Sequence, residues 1–94
     1  MSALRARRHP VVDEYVEDGR AAVYSEDGMV VLLSELATRA WEVLGAEWVG
    51  AEQVTAELVR EFGDPGAGEA ERLTENALRS LAELRLVDLD EAAP

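Results

Sequence analysis

The chain has 94 residues, no Cys, and 20 acidic residues against 9 basic ones, all Arg, for a formal net charge of −11. That length holds one modest core, which argues against a deep active site with a separate cofactor domain, and the lack of Cys excludes a disulfide frame, a thiolate nucleophile and a Cys-ligated metal. The acidic balance argues against duplex DNA and anionic membrane surfaces as partners. No apolar run approaches the roughly 20 residues of a membrane span, and the basic start lacks the apolar stretch of a signal peptide. The expectation is a cytoplasmic protein without cofactor or metal.

Residues 1–10 read as a flexible basic arm carrying Arg5, Arg7 and Arg8. Residues 11–89 read as the domain and residues 90–94 as a frayed acidic tail. Asp18-Gly19 and Asp27-Gly28 are Asp-Gly pairs that suit tight hairpins. They separate three β-rich runs, which predicts an antiparallel meander. From Ser34, a good N-cap, the period turns helical. Leu36, Ala37, Ala40, Trp41 and Leu44 share one face, with Gly45 as the stop. A second helix is expected over residues 51–62, closed by Gly63. After the loop Asp64-Pro65-Gly66-Ala67-Gly68, a third runs over residues 69–84, with Ala70, Leu73, Ala77, Leu78, Leu81 and Leu84 as its buried face. Leu86, Val87 and Leu89 read as a short extension or wing. The predicted fold is α+β: a winged helix-turn-helix with a three-stranded antiparallel N-terminal sheet followed by three helices.

The run Met29-Val30-Val31-Leu32-Leu33 is apolar on both faces, whereas a meander strand covered on one face alternates. In a simple meander it is also an edge, and no Lys, Pro or charge blunts it. Such a strand is central, or covered by the helices on one side and the arm on the other, or paired with a second copy, or it accepts an extended peptide by β-augmentation. On the third helix Arg72, Asn76, Arg79, Ser80 and Glu83 form a polar stripe. If this helix packs beside the third strand, Leu73, Ala77 and Leu84 supply an apolar groove floor, with Arg72 and Arg79 at its rim. On that reading Val31→Pro removes a hydrogen-bond donor from the receiving edge.

His9-Pro10, the two Asp-Gly hairpins, Val31-Leu32-Leu33-Ser34 leading into Ala37, Ala40, Trp41 and Leu44, then Val54 and Leu58, and the closing Leu78, Leu81, Leu84, Leu86 and Val87 together resemble the PqqD-like family over residues 9–89. Ser34 stands where relatives often carry Asn, and Arg85 where they often carry Gly or another turn former. The resemblance implies a non-catalytic recognition element for ribosomally made, modified peptides. The leader of the precursor would add as a further antiparallel strand to the third strand and pack on the third helix. Its implied site is Met29, Val30, Val31, Leu32 and Leu33 on the strand, with Leu73, Asn76, Ala77, Arg79, Ser80, Glu83 and Leu84 on the helix. A free-standing, Arg-only, acidic member looks most like the leader-binding proteins of lasso-peptide pathways. Its further partners would be a leader peptidase of cysteine-protease type and an ATP-dependent macrolactam synthetase.

The alternative is a winged-helix DNA-binding regulator. It would have to use a third helix with Glu69, Glu71, Glu75 and Glu83 against Arg72 and Arg79, a net negative surface facing phosphates. An enzyme would have to rely on the single His9, and the glycines of residues 63–68 lack the Lys-Ser/Thr of a phosphate loop.

Overall fold

The structure, a computed structural model, describes residues 4–91. Strands β1 (Leu4–Arg8), β2 (Val11–Glu17), β3 (Arg20–Ser25) and β4 (Val30–Leu32) precede helix α1 (Glu35–Val43). Then follow β5 (Val49–Gly50), α2 (Ala51–Phe62), α3 (Glu69–Glu83) and β6 (Val87–Glu91). Two antiparallel three-stranded sheets result, ordered β2-β3-β4 and β5-β1-β6. The fold is α+β and winged-helix-like.

The meander follows from its turns. Asp18 and Gly19 both take positive φ, 53° and 77°, as a two-residue type I′ hairpin requires. The second turn differs. Gly28 N–H donates to Ser25 C=O at 3.0 Å and Ser25 N–H to Met29 C=O at 2.9 Å. This is a three-residue loop in which Gly28 alone has positive φ, the type with a glycine bulge. The expected third strand is β4, shorter than the apolar run but extended by backbone pairing at Met29 and Leu33.

The three helices lie where the apolar periods place them. The Ser34 hydroxyl accepts from Ala37 N–H at 3.1 Å and caps α1. That helix ends before Gly45, at Leu44, whose N–H reaches back to Trp41 C=O. Gly63, at φ 90°, closes α2. The third helix closes on Arg85 N–H to Ala82 C=O and Leu86 N–H to Leu81 C=O, both 2.9 Å. This is a Schellman motif, with Arg85 at φ 62° where glycine is the usual occupant. Leu33, Ala40, Trp41, Leu44, Val54, Leu58, Leu78, Leu81 and Leu86 meet in one core between the sheets and the helices.

One expectation is overturned. The basic arm, so far as it is described, is a strand: β1 is the central member of the second sheet. Leu4 and Ala6 are 2% and 0% exposed, so alternate residues enter the core. The intervening arginines match acids across the ladder, Arg5 opposite Asp90 and Arg7 opposite Asp88, and form ion pairs there. Their guanidinium groups stack on Trp48, at 5.3 and 4.4 Å from the ring centre. Arg8 stacks on Trp41 at 4.3 Å. It also donates to Trp41 C=O and to Glu14, which accepts from Trp41 Nε1 at 2.8 Å. Asp90 and Glu91 of the expected frayed tail lie in β6, and the expected wing is this edge strand. Residues 1–3 of the arm and 92–94 of the tail lie outside the described residues.

Candidate functional site

The anomalous apolar strand is an edge. β4 pairs with β3 on one side only, and Val30 and Leu32 are 60% and 61% exposed. A central position and cover by the N-terminal arm are both excluded, because β1 belongs to the other sheet.

The register fixes which backbone groups are free. Leu33 N–H donates to Ala21 C=O at 2.8 Å, and Met29 C=O accepts from Ser25 N–H. Val31 stands opposite Val23 midway between these pairs. Antiparallel hydrogen bonds alternate, so Met29, Val31 and Leu33 turn their backbone groups towards β3. Val30 and Leu32 turn theirs outwards. The unpaired edge is therefore built from Val30 and Leu32, not Val31, whose N–H belongs to the meander itself. This corrects the expectation for Val31→Pro.

Side chains alternate in the same register. Val31 and Leu33 face the helices, with Leu33 buried. Val30 and Leu32 face outwards. There they continue two cross-strand rows, Tyr15–Ala22–Leu32 and Asp13–Tyr24–Val30, in which the rings of Tyr15 and Tyr24 lie 6.3 Å apart.

Beside β4, α3 divides its apolar stripe. Thr74, Leu78 and Leu81 are buried in the core, while Leu73 and Leu84 remain 39% exposed. Between strand and helix lies a groove of about 330 Å³. Val31, Leu32, Leu33, Leu73, Asn76, Ala77, Ser80 and Leu84 line it, all expected from the sequence. Ser34, Leu36, Ala37 and Leu81 line it as well. Leu36 and Ala37 were missed because the apolar face of α1 reads simply as core, Leu81 because it reads as the core face of α3, and Ser34 because it reads only as a cap. The available signal was that Ser34 caps a helix that starts immediately after the edge strand.

Four of the expected site residues stand elsewhere than on the groove wall: Met29, Val30, Arg79 and Glu83. Val30 offers its outward backbone. Arg79 pairs with Glu75 at 3.7 Å and with Glu91 on β6, which holds its guanidinium charged. It serves the helix–strand contact, not the groove rim. Arg72 is likewise occupied by Glu69, whose carboxyl it holds below the usual range by hydrogen bonding and charge. The groove's polar groups are thus the neutral Asn76, Ser80 and Ser34, and its chemistry is backbone pairing plus apolar contact.

The arginines that a DNA-binding arm would use, Arg5, Arg7 and Arg8, are all in ion pairs. Among the described residues no helix is long and apolar enough to cross a membrane.

No family model matches the chain, and no curated protein matches it. Among solved structures, the chain is similar to TbiB1 in complex with the TbiA(beta) leader peptide. The two share 20% identity and superpose with a TM-score of 0.71, over 94% of this chain and 99% of that one. The likeness establishes a shared fold across nearly the whole chain.

Proposed function

We propose that the chain is a non-catalytic recognition protein that binds the leader segment of a ribosomally made precursor peptide. The leader adds to the β4 edge as a fourth, antiparallel strand of the meander. It is then presented to an enzyme that cleaves or modifies the precursor. The observation that carries this reading is an unpaired edge at Val30 and Leu32 standing over an apolar groove against α3. Leader residues opposite Val30 and Leu32 exchange backbone hydrogen bonds with them. Residues opposite Val31 and Leu33 turn their side chains into the groove. The likeness to a protein solved with a leader peptide supports a leader as the ligand.

The pathway we infer is lasso-peptide biosynthesis in the cytoplasm, with a cysteine-protease-type leader peptidase and an ATP-dependent macrolactam synthetase as further partners. The acidic, Arg-only character of the chain supports that assignment.

The test is fluorescence polarisation with a labelled leader peptide from the precursor encoded beside this chain. Leu32→Pro removes an outward N–H and leaves the β3 ladder whole, as proline on an edge strand allows. It should weaken binding about tenfold or more with the melting temperature nearly kept. Val31→Pro breaks the meander's own ladder and should lower the melting temperature itself. Unchanged affinity in a folded Leu32→Pro chain would rule out strand addition at this edge.

A further inference from the structure

At each end of β4 a buried hydroxyl stands in for a backbone acceptor. Met29 N–H donates to Ser25 Oγ at 3.2 Å, and Ala21 N–H donates to Thr38 Oγ1 at 2.8 Å. Both hydroxyl residues are buried. At the α1 end the substitution goes further. Leu33 N–H still pairs with Ala21 C=O, but the reciprocal bond is given up. Ala21 N–H has gone to Thr38, and Leu33 C=O accepts from Arg20 Nε at 2.9 Å. Thr38 stands in α1, four residues after the Ser34 cap, and its own N–H donates to Ser34 C=O at 2.8 Å. One residue thus ties the first turn of the helix to the last rung of the sheet. Thr55 and Thr74 donate their hydroxyls to the carbonyl four residues back in their own helices, each at 2.8 Å, a common use of helical threonine. The Thr38 hydroxyl instead accepts from a strand.

Resting on the leader-binding reading, we propose that Thr38 and Arg20 are positioning residues that end the unpaired edge after Leu32 and so fix the register of the added strand. In a strand that ran on, the next outward carbonyl would be that of Ser34, two residues past Leu32. Ser34 is still extended, at φ −67° and ψ 168°, but its C=O is taken by Thr38 N–H. At the other end Gly28 leaves the strand line at φ 82°. β4 therefore offers a leader two outward carbonyls, those of Val30 and Leu32.

Two rungs are enough to set register because of how a strand slips. A slip of one residue would turn every groove-facing side chain outwards. A slip of two keeps the faces but forfeits one of the two rungs. On an edge that continued through Ser34 the same slip would lose no rung, and an alternating apolar leader would bind in several registers. Thr38 and Arg20 hold the chain away from that longer strand by satisfying, from the side, the two backbone groups that would otherwise close it.

The experiment is an N-methyl scan of the leader peptide encoded beside this chain. Each backbone N–H is replaced in turn, and affinity is read by competition in fluorescence polarisation well below the melting temperature. On the unaltered chain two positions, two residues apart, should each lose roughly tenfold in affinity, one for each outward carbonyl. Thr38→Val keeps the side-chain shape and removes the acceptor. Ala21 N–H then closes on Leu33 C=O, the first turn of α1 loosens, and Ser34 C=O comes free. A third sensitive position should appear two residues nearer the leader's N-terminus, and the penalties at the first two should shrink as the peptide slips. Thr38→Ser restores the acceptor and should restore the two-position pattern. Lost stability alone would weaken all peptides alike and leave the pattern unmoved. Arg20→Met, at an exposed position, uncaps Leu33 C=O and should show the third position more weakly; it decides the matter if Thr38→Val melts early. An unchanged two-position pattern in folded Thr38→Val, or in Arg20→Met in its place, would overturn the register stop and leave strand addition standing. A scan of the unaltered chain with no sensitive position would overturn both.

Discussion

At Arg85 a single residue carries a backbone cost. It occupies the left-handed position of the Schellman motif that ends α3, at φ 62°, where an L side chain is disfavoured by about 1–2 kcal/mol relative to glycine. Its one ion-pair partner within 4.0 Å among the described residues is Asp27, at 3.9 Å, and its side chain is 79% exposed, so little offsets that cost. Arg85→Gly keeps both closing hydrogen bonds, since these use only backbone atoms. Glycine's freedom in the unfolded chain takes back part of the gain. The expected net is a stabilisation of about 0.5–1 kcal/mol, read as a higher urea midpoint at unchanged slope. The position itself was legible in the sequence, as an arginine where a turn former is customary. Its helix end was not, because closure depends on φ at Arg85 and not on the apolar period, which runs on through Leu84 and Leu86.

The elements were legible wherever one residue type alternated against another. The helical faces at Trp41, Val54, Leu58, Leu78 and Leu81 stand out because their apolar spacing is long and regular. The edge character of β4 was legible too, as an apolar run that nothing blunts. β1 was hidden because its inward face is only Leu4 and Ala6, while three arginines dominate its composition. The missing clue lay more than 80 residues away: Arg5-x-Arg7 is complemented in register by Asp88-x-Asp90. Tertiary pairing across that distance carries no local signal. The groove was half legible for the same reason. Its strand and α3 walls follow from periodicity, whereas the contribution of α1 depends on how the helices pack. One prediction belongs to this scale. Deleting residues 1–8 removes the central strand of the second sheet and leaves β5 and β6 without a partner. The shortened chain should lose its cooperative thermal transition by circular dichroism. A merely flexible arm would leave the melting temperature where it was.

Over the whole molecule, charge divides into a paired and an unpaired population. Arg5, Arg7, Arg8, Arg39, Arg60, Arg72, Arg79 and Arg85 each meet a carboxylate within 4.0 Å. Arg20 donates to Leu33 C=O at 2.9 Å, just past the end of β4. Each arginine thus has an acceptor beside it, and the excess −11 is left as an outward field. That field repels duplex DNA, whose binding depends on free cations to displace counterions. It does not oppose a peptide held by backbone pairing and apolar contact, and it favours one with cationic flanks. Consider two leader peptides with identical strand and anchor residues, one flanked by two Lys and the other by two Glu. At about 20 mM salt the Lys form should bind roughly tenfold tighter, chiefly through faster association. At 0.5 M salt the Debye length falls to roughly 4 Å, and the two affinities should converge, because what remains is the ladder at Val30 and Leu32 and the apolar floor. Stopped-flow association rates at the two salt concentrations measure this directly. A gap that persisted at high salt would mean that the flanks make short-range contacts, and would place a charged group at the groove that the ion pairing of Arg72 and Arg79 does not provide.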